Sequence, residues 1–224
     1  MGKLEVFNKL LRKKSSLLQC IFSTLIFQLV LTTLVFRHVY QNPVTHKNML
    51  QKNTIMVILL FLVVQIALIF AMTTMDITFA VRFILFIIFS VIEGLFLGAS
   101  MVYVPKDIIL SALVSTVAIF VAFLTVGMFI VYLGIDLGWM GIYLFLGLLG
   151  LIITRIVSSI MKPTAEPISK YSTIFGLLLF SMFILYDTNN ILLKYSTTGV
   201  DCIRGALDYY LDLVNIFVNS IDSH

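Results

Sequence analysis

Apolar residues fall into seven long runs separated by short polar breaks. The runs are approximately 16–36, 54–75, 79–103, 107–133, 139–161, 171–193 and 203–221. The breaks carry helix-stopping or charged residues: Asn42-Pro43, Asp76, Pro105-Lys106-Asp107, Gly134 to Gly138, Pro163 to Pro167 and Ser196 to Asp201. About 20 apolar residues carry a helix across a bilayer. Inside lipid the backbone must satisfy its own polar groups, so runs of this kind are helices. The pattern predicts an all-α membrane protein, a seven-transmembrane-helix bundle forming one integral membrane domain over residues 1–224. The short breaks make most neighbouring helices antiparallel.

The polar residues inside these runs are as informative as the apolar ones. In the seventh run, Asp201, Gly205, Asp208, Asp212, Asn215 and Asn219 fall on a stripe about 80° wide at helical spacing. Tyr210, Leu213, Val214, Phe217 and Ile221 occupy the other face. Lipid penalises such a stripe, so it is expected to face a water-filled path or the bundle interior. A helix lying in the membrane interface, or polar side chains gluing helices together, would leave the same pattern. In the sixth run Asp187, Asn190 and Lys194 share a face, with Lys194 expected to reach the interface and leave the acid unneutralised. The third run buries Glu93 beside Gly94 and Gly98, a close-packing G-x-x-x-G face. Glu93 serves equally well as an ion-path residue or as a hydrogen-bonding anchor between helices.

Folding the sixth and seventh runs back on each other sets Asp187 and Asp212 at similar depth. A carboxylate at the centre of a membrane helix costs roughly 2.5–3.5 kcal/mol. Two facing carboxylates in a low-dielectric site cannot both ionise cheaply, so they share a proton and titrate as one unit. Once deprotonated, they offer hard oxygens that suit Ca²⁺ in transit. Tight storage would require about six to eight oxygens. Ca²⁺ is thus expected as a permeant ion, and no cofactor is expected.

Composition agrees with the pattern. The chain is 60% hydrophobic and 12% charged, with mean hydropathy +1.08. Soluble domains run about 45–50% apolar and about 25% charged. The net charge of +4 comes from basic residues flanking the runs, which anchor a membrane protein in its bilayer and do not mark a nucleic-acid partner. Arg82 and Arg155, near run ends, are expected to be interfacial anchors. The N-terminal Lys9, Arg12, Lys13 and Lys14 precede a run too long for a signal peptide, so that run is expected to stay as a first span. Orientation is left open, because alternate loops carry eight and seven Lys/Arg and a re-entrant last segment would put both ends on one side. Cys20 and Cys202 form no CxxC or Cys/His cluster, so neither zinc nor a disulfide framework is indicated. His38, His46 and His224 have no metal-ligand spacing.

An enzymatic reading is also available. Paired aspartates on adjacent spans describe an intramembrane aspartyl protease, and Tyr186-Asp187 matches half of its signature. The G-x-G-D half is missing, because the second acid sits in Tyr210-Leu211-Asp212, and no Pro-Ala-Leu follows.

Phe183-Ile-Leu-Tyr-Asp187-Thr, together with Tyr210-Leu-Asp212-Leu-Val-Asn215-Ile-Phe217, resembles the transmembrane BAX inhibitor motif family. That family includes Golgi anti-apoptotic proteins, lifeguard proteins and bacterial homologues. Phe27-Gln-Leu-Val-Leu-Thr-Thr33 and Ile92-Glu93-Gly94-Leu agree, and the resemblance runs from about residue 8 to 221. It implies a seven-helix bundle with the last helix central. It also implies a Ca²⁺ leak channel of endoplasmic reticulum or Golgi membranes, or of the plasma membrane in bacteria, that lowers store Ca²⁺ and inhibits apoptosis. The family's pH-sensing aspartate pair maps onto Asp187 and Asp212. The arginine that latches this pair in bacterial members has no counterpart in Ala71-Met-Thr-Thr-Met75, and the basic tail of many animal members has none in Ser220-Ile-Asp-Ser-His224. The implied partners are the lipid bilayer, Ca²⁺ and protons, with apoptosis regulators or self-association beside them. A non-conducting scaffold that regulates death or trafficking through protein partners is the alternative to the channel, and the protease is the third reading.

Overall fold

A computed structural model describes residues 3–42, 54–160, 166–196 and 198–223. Seven helices account for nearly all of them: α1 Lys3–Gln41, α2 Thr54–Thr74, α3 Phe79–Ser100, α4 Lys106–Leu133, α5 Met140–Ile160, α6 Glu166–Leu193 and α7 Gly199–Asp222. There is no strand among the described residues. Five of the helices are long and apolar enough to cross a membrane: α1, α3, α4, α5 and α6. Residues Leu60–Thr74 of α2 form a shorter apolar helix. α7 falls outside both groups, because its polar stripe lowers its hydropathy. Whole rows of large apolar side chains are exposed, such as Leu60, Val63, Ile66 and Phe70 on α2 and Leu110, Leu113, Val117 and Val121 on α4. Water would not tolerate such rows on a monomer, whereas lipid matches them. The chain is an integral membrane protein.

Local sequence explains the helix ends. Thr78 caps α3, its hydroxyl accepting from the Val81 amide at 3.5 Å. Pro105 starts α4, where its missing N–H costs nothing, and Asp107 lies in the first turn. α4 stops at Gly134, whose φ of +84° is a left-handed conformation that a side chain would resist. α1 is longer than its apolar run. At 39 residues and about 1.5 Å per residue it extends well beyond the hydrocarbon thickness, so the basic N-terminal stretch is a helical extension of the span.

The chain divides into two compact units. One holds Leu17–Val104 and Thr197–Leu207, and is called the α2–α3 unit below. The other, the α4–α6 unit, holds Met1–Ser16, Pro105–Ser196 and Asp208–His224. In the α2–α3 unit, α1 packs along α3 over the two glycines of the G-x-x-x-G face. A Cβ on Gly94 would lie 2.8 Å from the Thr32 carbonyl oxygen, and one on Gly98 would lie 2.7 Å from Val39 Cβ. Phe61 of α2 stacks on Phe96 of α3 at 3.8 Å between centroids. Tyr40 closes the far end by donating to the Val104 carbonyl at 2.8 Å.

Two expectations fail in this unit. Cys20 and Cys202 are joined in a disulfide with Cα atoms 5.7 Å apart. Their separation of 182 positions hid a pairing that only the packing of α1 beside the start of α7 creates. Arg82 is not an interfacial anchor. It is 4% exposed and donates to the Met75 carbonyl at 3.1 Å, folding back over the α2–α3 turn.

In the α4–α6 unit, α6 packs against both α4 and α5. Small residues allow this. Gly127 of α4 meets Thr188, Gly141 of α5 meets the Tyr186 ring, and Gly147 of α5 meets Leu179. Asn189 ties α6 to the α4–α5 turn with both ends of its amide, donating to the Ile135 carbonyl at 2.8 Å and accepting from the Leu137 amide at 3.0 Å.

Candidate functional site

The site lies in the α4–α6 unit, where α6 and the second half of α7 present their acids. Asp187 is 9% exposed and Asp212 3%. Their carboxyl groups are close enough to act on each other electrostatically. Asp212 Oδ2 has no hydrogen-bond partner among the described residues. Asp208, one turn earlier on α7, is close enough to act on Asp212 electrostatically.

Aromatic and hydroxyl groups fix the surroundings. Tyr209 is fully buried, and its hydroxyl lies 2.9 Å from Thr188 Oγ1. Thr188 donates its own proton to the Ile184 carbonyl at 2.7 Å, so Tyr209 is the donor between the two. Phe120 of α4 meets the Tyr209 ring edge-on at 5.3 Å. Tyr195, just past α6, donates to Asp208 Oδ2 at 2.6 Å. Its carbonyl accepts from the Lys14 ammonium, a cation placed where the C-terminal end of a helix favours one.

The rest of the stripe divides by position. Asp201 belongs to the α2–α3 unit. It sits in the cap of α7, where Thr198 Oγ1 donates to its carboxylate at 3.0 Å and accepts from its amide at 3.3 Å. Asn215 and Asn219 donate to the Leu211 and Asn215 carbonyls of their own helix at 2.8 and 2.7 Å. Asn219 Oδ1 also accepts from Arg155 Nη2 at 2.6 Å, while Arg155 Nη1 reaches Asp222 at 2.7 Å. Arg155 is therefore a bolt between α5 and the end of α7, more than an interfacial anchor. On the face opposite the stripe Tyr210 and Leu213 are buried, while Val214, Phe217 and Ile221 are half-buried. Lys194 does turn away from the acids, as its chain length suggested, and lies 3.6 Å from Asp136.

Glu93 belongs to the α2–α3 unit. It is 9% exposed and accepts from Gln65 Nε2 at 2.5 Å. Sequence reading passed over Gln65 and, as chemistry, Gln28. An isolated carboxamide inside an apolar run was the available signal in both cases.

Residues 14–221 match the family model described as Inhibitor of apoptosis-promoting Bax1. Bax inhibitor 1 of Schizosaccharomyces pombe is 28% identical over 205 residues, covering 92% of this chain and 74% of that protein. A BI1-like protein of Arabidopsis thaliana is 26% identical over 198 residues, covering 88% and 75%. An uncharacterized protein of Caulobacter vibrioides is 34% identical over 89 residues, covering 37% and 35%.

Proposed function

This chain belongs to the family of inhibitors of apoptosis-promoting Bax1, and on that premise we propose that it forms a pH-sensitive Ca²⁺ leak pathway in endoplasmic reticulum or Golgi membranes. By lowering store Ca²⁺, the leak inhibits apoptosis. The observation that carries this reading is the burial of two neighbouring carboxyl groups, Asp187 and Asp212, against each other. Few folds hold two carboxyl groups against each other in an apolar span without using them.

The mechanism follows from the proton count. With a proton shared between them, the two groups carry a single negative charge and do not repel. Loss of that proton leaves two like charges at contact distance, which repel. The carboxylates then separate or recruit a cation, and Ca²⁺ matches both their charge and their hard oxygens. Asp208 adds a third negative group one turn away. Two or three carboxylates fall short of a tight Ca²⁺ cage, which takes about six to eight oxygens, so the ion passes on. In this reading α2 and α7 also cross the bilayer, giving seven spans with the last helix central. The protein acts through ion movement and makes no covalent bond.

The test is Ca²⁺ flux into liposomes containing the purified full-length protein, across about pH 5 to 8. The wild type is expected to show flux that changes with pH, and Asp187→Asn and Asp212→Asn are each expected to flatten that profile. An inserted, folded protein that passes no Ca²⁺ at any pH sinks the channel and leaves a scaffold acting through partners.

A further inference from the structure

The α2–α3 unit holds buried polar groups of its own. Glu93 of α3 accepts from Gln65 of α2, and Gln65 is 7% exposed. The remaining oxygen of Gln65 has no hydrogen-bond partner among the described residues. Gln28 of α1 is fully buried, and neither its amide oxygen nor its amide nitrogen has a partner there. Thr32, one turn after Gln28 on the same face of α1, donates to the Ser90 carbonyl at 3.3 Å. Ser90 and Glu93 are three residues apart on α3 and share a face. Gln65 and Glu93 are thus in direct contact, and Gln28 lies one turn along α1 from Thr32, which meets α3 one turn before Glu93.

Buried polar atoms are almost always bonded, and exceptions call for an explanation. Here three buried amide atoms, two on Gln28 and one on Gln65, lack a partner among the described residues. The groups offered by the packed elements are Gln28 and Thr32 from α1, Gln65 from α2, and Ser90 and Glu93 from α3. None of them is a cation. Arg82 is about three turns away along α3 and is engaged with the Met75 carbonyl. This set therefore carries one acid and no internal counter-charge.

The donor set narrows the ligand. The Glu93 carboxylate and the Gln65 and Gln28 amide oxygens are hard oxygen donors carrying a single negative charge between them. A divalent ion wants more carboxylates and more oxygens than this. A single positive charge of small radius fits, and a water on that ion supplies the acceptor that Gln28 Nε2 lacks. We propose that Glu93, Gln65 and Gln28 form a binding site for a small monovalent alkali cation within the membrane part of the α2–α3 unit.

The experiment follows thermal unfolding of the full-length protein in neutral-lipid nanodiscs. NaCl or KCl is titrated against N-methyl-D-glucamine chloride at constant ionic strength and fixed pH. The wild-type midpoint is expected to rise with the alkali cation and saturate. Glu93→Gln is expected to lose that rise. Gln28→Met removes the unbonded amide, so it is expected to raise the midpoint in N-methyl-D-glucamine while weakening the cation response by about tenfold or more, the scale of losing a supporting ligand. Asp187→Asn is expected to keep the full response, which separates this site from the aspartate pair. A wild type indifferent to alkali cations overturns the proposal, as does a response untouched by Gln28→Met. A midpoint that follows pH alone and vanishes in Glu93→Gln overturns it in favour of a bare proton site. Gln28→Met carries the test if Glu93→Gln does not fold.

Discussion

Tyr195 holds Asp208 by a 2.6 Å hydrogen bond across the α6–α7 turn. The tyrosine is outside the helices, yet it fixes the acid nearest the buried pair along α7. A hydrogen bond to a charged acceptor contributes about 1.5–3 kcal/mol when well buried. Asp208 is only half-buried, so Tyr195→Phe is expected to cost about 1 kcal/mol of stability. In the channel reading it also frees a negative group beside Asp212, so the Ca²⁺ flux profile should shift along the pH axis. Thermal melting and liposome flux, run on the same preparation, check both. An unchanged profile assigns Tyr195 to turn stability alone.

The aspartate pair should reveal itself in stability as well as in flux. Asp212→Asn retains an amide that can bond to Asp187 and removes one ionisable group from a buried like-charged pair. The variant is expected to melt higher than the wild type at alkaline pH, by about 1 kcal/mol or more, with the difference shrinking as the pH falls and the wild-type pair holds its proton. A melting difference independent of pH would mean that the pair does not titrate in the folded state.

Arg155 offers a test of magnitude between two partners. Its contact with Asp222 joins side chains that are 36% and 40% exposed, and such pairs contribute about 0–1 kcal/mol. Its contact with the buried Asn219 leaves an amide oxygen without that donor when removed, which costs about 1–3 kcal/mol. Asp222→Asn is therefore expected to be nearly silent and Arg155→Ala clearly destabilising. Equal losses in the two melting curves would contradict the division.

The helices themselves were legible in the run lengths because lipid imposes a minimum span and Pro, Gly and Asp mark the breaks. The predicted 107–133 and the predicted start at 139 agree with the structure to within one residue, and the predicted end at 161 lies outside the described residues. α1 extends beyond its predicted run at both ends and α6 only at its start, since polar residues continue a helix beyond the apolar stretch, and at the basic end of α1 Lys14 is held by Tyr195. Asp187 and Asp212 could be matched by depth, because two adjacent antiparallel helices convert sequence distance from the turn into height. The Cys20–Cys202 bond and the Arg155–Asn219 contact join elements distant in sequence, and no periodicity reports such neighbours. Position near a run end does not fix exposure, as Arg82 shows: it is buried and folds back to the Met75 carbonyl.

The glycine face of α3 sets a steric prediction. A methyl on Gly94 would meet the Thr32 carbonyl oxygen and Val35 Cβ, both at 2.8 Å. Backbone cannot give way as a flexible side chain can, so Gly94→Ala is expected to cost about 1–3 kcal/mol. Gly150→Ala has nothing within 4 Å of the new methyl and is expected to leave the melting midpoint unchanged. The two alanines, compared in one host, separate crowding from any general effect of losing glycine.

The disulfide should be visible on a gel. Oxidised wild type is expected to migrate faster than reduced protein in denaturing detergent, and Cys202→Ser should abolish the difference. Reduction is also expected to lower the melting midpoint, since a crosslink of this span restricts the unfolded chain by several kcal/mol in the entropy picture, about 2–5. Identical migration with and without reductant would show two free thiols.

That bond has a mechanical meaning too. Residues 20 to 202, with α2 to α6 between them, lie inside a covalent ring. A force applied at the two termini cannot travel through the ring's interior. Only the stretches before Cys20 and after Cys202 can lengthen under load, so a chain drawn from the bilayer by its ends would shed those tails and then hold, until a thiol opened the ring.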